Sequence, residues 1–218
     1  MSNTSQRSTA VTRSRAHISW SIFGVITLSI LLSGGLGALG NSSVQSKPAI
    51  ESIYTALDAK SCRKKIDKND PNETPFQVCP GVAGYALILR LVDAGRQSID
   101  VVNSAQRVFP LDFQEFVTRH MSNLEGKAEW RVTTKNGKKA PIALIVRVQA
   151  REDNDNPERV TASYFAVAKI TRNKVCVTDR IIVGAQSEAA VRSAADSAQQ
   201  RQCAPALPEI SIDGSLFR

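Results

Sequence analysis

Between Glu129 and Val183 the sequence alternates, and this constrains the fold more than any other feature. Trp130 and Val132 stand against Glu129, Arg131 and Thr133. Ile142, Leu144, Val146 and Val148 then stand against Ala143, Ile145, Arg147 and Gln149. Val160, Ala162, Tyr164, Ala166 and Ala168 repeat the pattern, and Arg172-Asn173 turns the chain into residues 175–183. A period of two belongs to strands whose faces meet different surroundings. Asn136-Gly137 supplies the residue pair that a two-residue type I′ turn demands, and residues 151–159 form a polar loop. Four consecutive strands with short or polar connections predict an antiparallel meander.

Upstream, Tyr85, Leu87, Leu89 and Leu91 share one face of a further strand, with a turn at Asp93-Ala94-Gly95. Ile99 and Val101 on the return predict a hairpin. Ile50, Ile53, Tyr54 and Leu57 fall at i, i+3, i+4 and i+7, which predicts a short helix over residues 48–59. Residues 63–73 are dense in charge and read as an exposed loop with a turn at Asn69-Asp70-Pro71. Phe113, Phe116, Val117 and His120 suggest a short helix within residues 109–121. Ser187 is placed to N-cap a last helix ending at Cys203, whose stripe of Val191, Ala194, Ala195 and Ala198 suits close approach to a sheet. The expected fold class is α+β. It comprises a twisted antiparallel sheet, built from a hairpin plus a four-strand meander, a C-terminal helix packed on it and a short N-terminal helix.

The chain has 218 residues, a net charge of +8, 42% hydrophobic and 22% charged residues. That balance excludes a disordered chain and allows one domain of ordinary size. Residues 1–17 carry Arg7, Arg13 and Arg15 and no acid, and residues 18–40 carry no charge. Ala38-Leu39-Gly40 closes the apolar run with small residues, the pattern of a secretory signal peptide. An uncleaved anchor through residues 18–40 is the rival reading. Either way the basic flank directs the remainder outward. The predicted organisation is a leader at 1–40, a flexible tether at 41–47, one disulfide-stapled domain at 48–204 and a surface tail at 205–218. Without the three leader arginines, 25 of the 28 basic residues face 20 acidic ones, leaving +5. Such a bias suits weak attraction to an anionic envelope surface, and no dense basic stripe with aromatics points to nucleic acid.

Cys62, Cys79, Cys176 and Cys203 all follow the leader. An even count in an exported chain reads as disulfides, and three pairings are open. Sequence order favours Cys62–Cys79 with Cys176–Cys203. Zinc would need the C-x₂-C spacing that is absent.

The order Tyr54-Thr55-Ala56-Leu57-Asp58, Cys62, Cys79-Pro80-Gly81, Gly84-Tyr85 and Glu129-Trp130-Arg131, followed by Cys176 and a helix to Cys203, resembles a group of exported bacterial proteins of unknown function. The Cys-Pro-Gly-x-x-Gly-Tyr segment and the Glu-Trp-Arg triplet carry the likeness, which covers residues 50–203. It implies export and paired cysteines, and no catalytic residue.

Several constellations bear on chemistry. His120 is the only histidine after the leader, and no G-x-S-x-G elbow accompanies it. Glu152, Asp153, Asp155 and Glu158 resemble an oxygen-rich loop, but Pro157 breaks the EF-hand pattern. Gly81 and Gly84 lack the lysine of a phosphate loop and precede a strand. No cofactor and no metal are implied. If Trp130 faces the core, Glu129 and Arg131 share the outer face. Arg131 with Lys135, Lys138 and Lys139 is then the candidate contact for an anionic partner, an envelope protein or an anionic envelope polymer.

The leading expectation is an exported, non-enzymatic binding or structural domain, periplasmic or anchored outside the cytoplasm. The alternatives are a periplasmic hydrolase using carboxylates such as Asp93, Asp100 or Glu129, and an inhibitor of an exogenous hydrolase. The positive charge disfavours a basic lysozyme as the inhibitor's target.

Overall fold

The computed structural model describes residues 49–208 apart from Ala94 and Asn154. The predicted leader, the tether and residues 209–218 of the tail lie outside the described residues. The first element corrects an expectation: β1 (Ile50–Ala56) is a strand, not a helix. Ile53 and Thr55 turn inward and Ser52 and Tyr54 outward. A polar threonine inside and a large tyrosine outside hide the period of two and leave the helical spacing in view. Trp130 Nε1 donates to Thr55 Oγ1 at 2.9 Å, which satisfies that inward hydroxyl.

The charged segment after Cys62 is also more ordered than its composition suggests. β2 (Arg63–Ile66) pairs antiparallel with β3 (Pro75–Pro80), and all four β2 side chains are exposed. β2 is an edge strand, and Arg63, Lys64 and Lys65 guard it against pairing with other chains. Next come β4 (Ala86–Asp93) and β5 (Arg96–Val102), an antiparallel hairpin, and β6 (Val108–Pro110) beside β5. The helix expected within 109–121 shrinks to one turn, α1 (Phe113–Phe116). Asp112 enters it with φ of 44°, and Met121 already belongs to the following strand.

β7 (Met121–Lys135), β8 (Lys138–Arg151), β9 (Ala162–Ile170) and β10 (Val175–Ile182) pair antiparallel in succession. Asn136 and Gly137 have φ of 51° and 72°, the positive values a type I′ turn requires. The strand order is β10-β9-β8-β7-β5-β4-β3-β2, with β1 on β7 and β6 on β5. The β5–β7 junction is parallel through Arg96 and Ser122, so the sheet is mixed and not wholly antiparallel. Little ladder exists there, and Gln97 Oε1 accepts the Leu124 N–H at 2.9 Å in place of a strand partner.

Cys79 on β3 and Val177 on β10 stand far apart in the strand order yet share one buried cluster with Leu87, Ile99, Trp130 and Val146. The sheet therefore curls around its inner face. The outer face of β8 and β9 is buried as well, beneath α2 (Ser187–Asp196) and a 3-10 turn at Ala198–Gln200. Ala143, Ile145, Phe165 and Val167 meet Val191, Ala194, Ala195 and Ala198 there. Alanines let the helix backbone approach closely, and full burial of Val191 contributes about 1.5–3 kcal/mol.

Two details of this end differ from expectation. Ser187 does not cap α2 forward; its hydroxyl donates to the Gly184 carbonyl and accepts the Gly184 N–H. Cys203 lies beyond the helix, in the segment whose Ala204 N–H donates to Val177 O at 2.8 Å. Residues 205–208 of the tail are on the surface but held: Leu207 N–H donates to Glu115 O, and Arg119 reaches the Leu207 carbonyl at 2.7 Å. Both disulfides, Cys62–Cys79 and Cys176–Cys203, are formed, and they suit an oxidising compartment. None of the described helices is long and apolar enough to cross a membrane.

Candidate functional site

Trp130 faces the core and is fully buried, edge-on to Tyr85 with ring centroids 6.2 Å apart. Glu129 and Arg131 consequently share the outer face of β7, opposite Tyr54 and Ser52 of β1. α2 covers this face too, so both charges are buried. Arg131 grips Asp196 of α2 with two prongs, Nε to Oδ1 at 2.6 Å and Nη2 to Oδ2 at 2.9 Å. Its Nη1 donates to Ser52 Oγ, and Ser52 in turn donates to Glu129 Oε1. Arg192 of α2 closes the network through Nε to Glu129 Oε1 at 2.9 Å. Arg192 Nη2 also reaches Tyr54 Oη and Glu188.

These partners set the state of Glu129. Burial pushes its carboxyl upward, but the hydrogen bonds from Arg192 and Ser52 and the Arg192 charge outweigh burial, so it ends below its ordinary value. Arg192 is held above its own ordinary value by the hydrogen bond and charge of Glu129. A carboxylate kept ionised between arginines is an electrostatic anchor; a general acid needs the opposite shift. A groove of about 560 Å³ lies alongside, lined by Tyr54, Lys127, Glu129, Arg147, Glu188 and Arg192. Its acids and arginines pair with each other or with neighbours, as in Arg147–Glu125 at 3.1 Å, while Lys127 lies over the Tyr54 ring, 5.0 Å from its centroid.

The three carboxylates considered for hydrolysis each pair with a different arginine. Asp93 pairs with Arg96, which holds its carboxyl below the usual range. Asp100 is buried on β5 against Arg90, and Glu129 belongs to Arg192. His120 is half-buried just before β7 with its backbone N–H on Thr118 Oγ1. In the acidic loop Glu152 accepts from Tyr164 Oη, and Asp153 pairs with Arg159 at 2.9 Å. Among the described residues no cluster of three His, Cys, Asp or Glu is arranged to hold a metal ion.

The four residues proposed for an anionic contact separate into two places. Arg131 is corrected: its guanidinium is bound to Asp196 and Ser52 beneath the helix and is not offered to a partner. Lys135 and Lys138 remain exposed at the β7–β8 turn, directly opposite one another in register. Lys139 is exposed beside them and pairs with Glu51 at 2.8 Å. Sequence reasoning missed Arg192, Asp196 and Ser52. The signal was the four-residue spacing of Glu188, Arg192 and Asp196, which sets one charged line along α2 beside its apolar stripe.

No protein-family model, curated protein or solved structure matches the chain.

Proposed function

We propose that this protein is a non-catalytic binding domain of the bacterial envelope, periplasmic or anchored outside the cytoplasm, that holds an anionic partner at the β7–β8 turn. The observation that carries this reading is the Lys135–Lys138 pair. Like charges directly opposite each other on a hairpin cost stability, and among the described residues neither lysine has a carboxylate partner. An anion bridging the two ammonium groups offsets that cost. The two disulfides and the likeness of the Cys79-Pro80-Gly81 segment to exported proteins support the location. The internally neutralised network at Glu129 supports a structural use of that face.

The test is co-sedimentation with isolated envelope material at low and high salt. The Lys135→Ala/Lys138→Ala/Lys139→Ala variant should lose the salt-sensitive fraction. Equal sedimentation of variant and wild type at both salt concentrations overturns the reading.

A further inference from the structure

Three separate turns meet at the end of the sheet that carries Lys135, around a hollow of about 770 Å³. The loop after β5 brings Arg107, the β7–β8 hairpin brings Lys135, and the β9–β10 turn brings Arg172. Asn103, Thr133 and Gln199 add polar groups, and no carboxylate lines the space. None of the three cations has an ion-pair partner among the described residues, although most other arginines of the domain do.

Hydrogen bonds brace two of these turns, and they set where the chain carries Arg107 and Arg172. Asn103 is buried, and its Oδ1 accepts the N–H groups of Ala105 and Arg107 at 3.0 and 2.9 Å. Backbone bonds from Asn103 N–H to Arg107 O and from Gln106 N–H to Asn103 O complete that loop. The Arg107 guanidinium is steered by the Phe109 ring, 5.1 Å from its centroid. Thr171 closes the third turn, its hydroxyl donating to Lys174 O at 2.7 Å and accepting the Lys174 N–H at 3.0 Å. Gln199 Nε2 donates to Ile170 O at 2.9 Å and fixes the side wall. Thr133 presents a buried hydroxyl oxygen that no group among the described residues hydrogen-bonds.

Three unneutralised cations around one hollow repel one another, and an anion in their midst relieves that repulsion. Two guanidinium forks match the oxygens of phosphate groups, to which arginine bonds two-pronged, while a lysine adds a point charge. The volume lies within the range of ligand sites and exceeds a single phosphate. We infer that this hollow is a binding site for a phosphate-bearing anion of several charges, with Arg107, Lys135 and Arg172 as its principal contacts. The inference rests on the anionic-partner reading and names the chemistry of that partner.

Titration calorimetry of the full chain with tripolyphosphate tests it, with citrate as the carboxylate comparison. Vesicles of phosphatidylglycerol and of phosphatidylcholine separate a lipid headgroup from a free phosphate chain as the source. Tripolyphosphate should bind one to one, at least about tenfold tighter than citrate, and weaken as salt rises. Arg107→Gln/Arg172→Gln should lose at least about tenfold in affinity, and Lys135→Gln a smaller factor. The charge-matched variant Lys64→Gln/Lys65→Gln on β2 should stay within about threefold of wild type, since it changes net charge equally away from the hollow. Equal losses in the two double variants, citrate binding as tightly as tripolyphosphate, or no one-to-one binding each overturn the inference. Vesicle binding through phosphatidylglycerol without any tripolyphosphate binding overturns it as well. The envelope assay reports on the hairpin lysines and the titration chiefly on the two arginines, so failure of the one reading is distinguishable from failure of the other.

Discussion

Arg131 and Asp196 form a two-pronged ion pair between the middle of the sheet and the last turn of α2, with N–O distances of 2.6 and 2.9 Å. Arg131 is buried, while Asp196 keeps 32% of its side chain in water. Removing Asp196 takes the two-pronged partner from a buried guanidinium and leaves Glu129, at 3.6 Å, as its acid neighbour. Because the acid is partly solvated, the expected loss for Asp196→Ala is about 2 kcal/mol, below that of a fully buried pair. Urea denaturation measures it. In a double-mutant cycle, Arg131→Met should recover part of the loss, because it removes a buried charge that has lost its two-pronged partner.

Glu129 gives the fold an acid-sensitive element. Its folded-state carboxyl lies below the ordinary value of 4.5, so near and below that value the unfolded chain binds more protons than the folded one. The contribution is complete above the ordinary value and falls as pH drops through it toward the folded value. Thermal melts from neutral pH down to about pH 3 should show a decline that flattens in Glu129→Gln. A variant curve parallel to wild type across that range would exclude Glu129 as the source.

The two cross-links are expected to differ in reach. They close loops of 17 and 27 residues, each restricting the unfolded chain by about 3 kcal/mol in the entropic account. Cys176–Cys203 additionally ties the segment after α2 to β10. Cys203→Ser should therefore raise amide exchange throughout α2, whereas Cys79→Ser should raise it mainly in β2 and β3. Intact protein made from the full 218-residue chain in an exporting host should take up no alkylating label before reduction.

Close approach of α2 to the sheet depends on small side chains. Ala195 is fully buried there, and Ala195→Leu should destabilise by about 1–3 kcal/mol through overpacking. Ala189, exposed on the same helix, should accept leucine within about 0.5 kcal/mol. Chemical denaturation of both variants distinguishes a packed seam from a merely helical segment.

Much of the second half was legible because its strands meet unlike surroundings on their two faces and Asn136-Gly137 admits few other conformations. Residues 50–56 misled because burial there follows the partner strand: Thr55 goes inward to meet the indole of Trp130, while Tyr54 goes outward to Arg192. Arg63 and its neighbours misled for another reason, since an edge strand with four exposed side chains carries no hydrophobic period. At the site, Glu129 and Arg131 could be assigned to one face from alternation alone. The roof over that face could not, because Ser52, Arg192 and Asp196 reach it from segments far away in sequence.

The bond between Tyr54 and Arg192 joins positions 138 residues apart. A chain made from its N-terminus delivers β1 and β7 long before α2. Until the last turn of that helix has been made, Glu129 and Arg131 stand on an open sheet face, held together through Ser52 and their own 3.6 Å ion pair. A truncated or stalled chain would thus expose a charged and apolar strip that the finished protein hides. The last helix distinguishes whole chains from partial ones by what it covers.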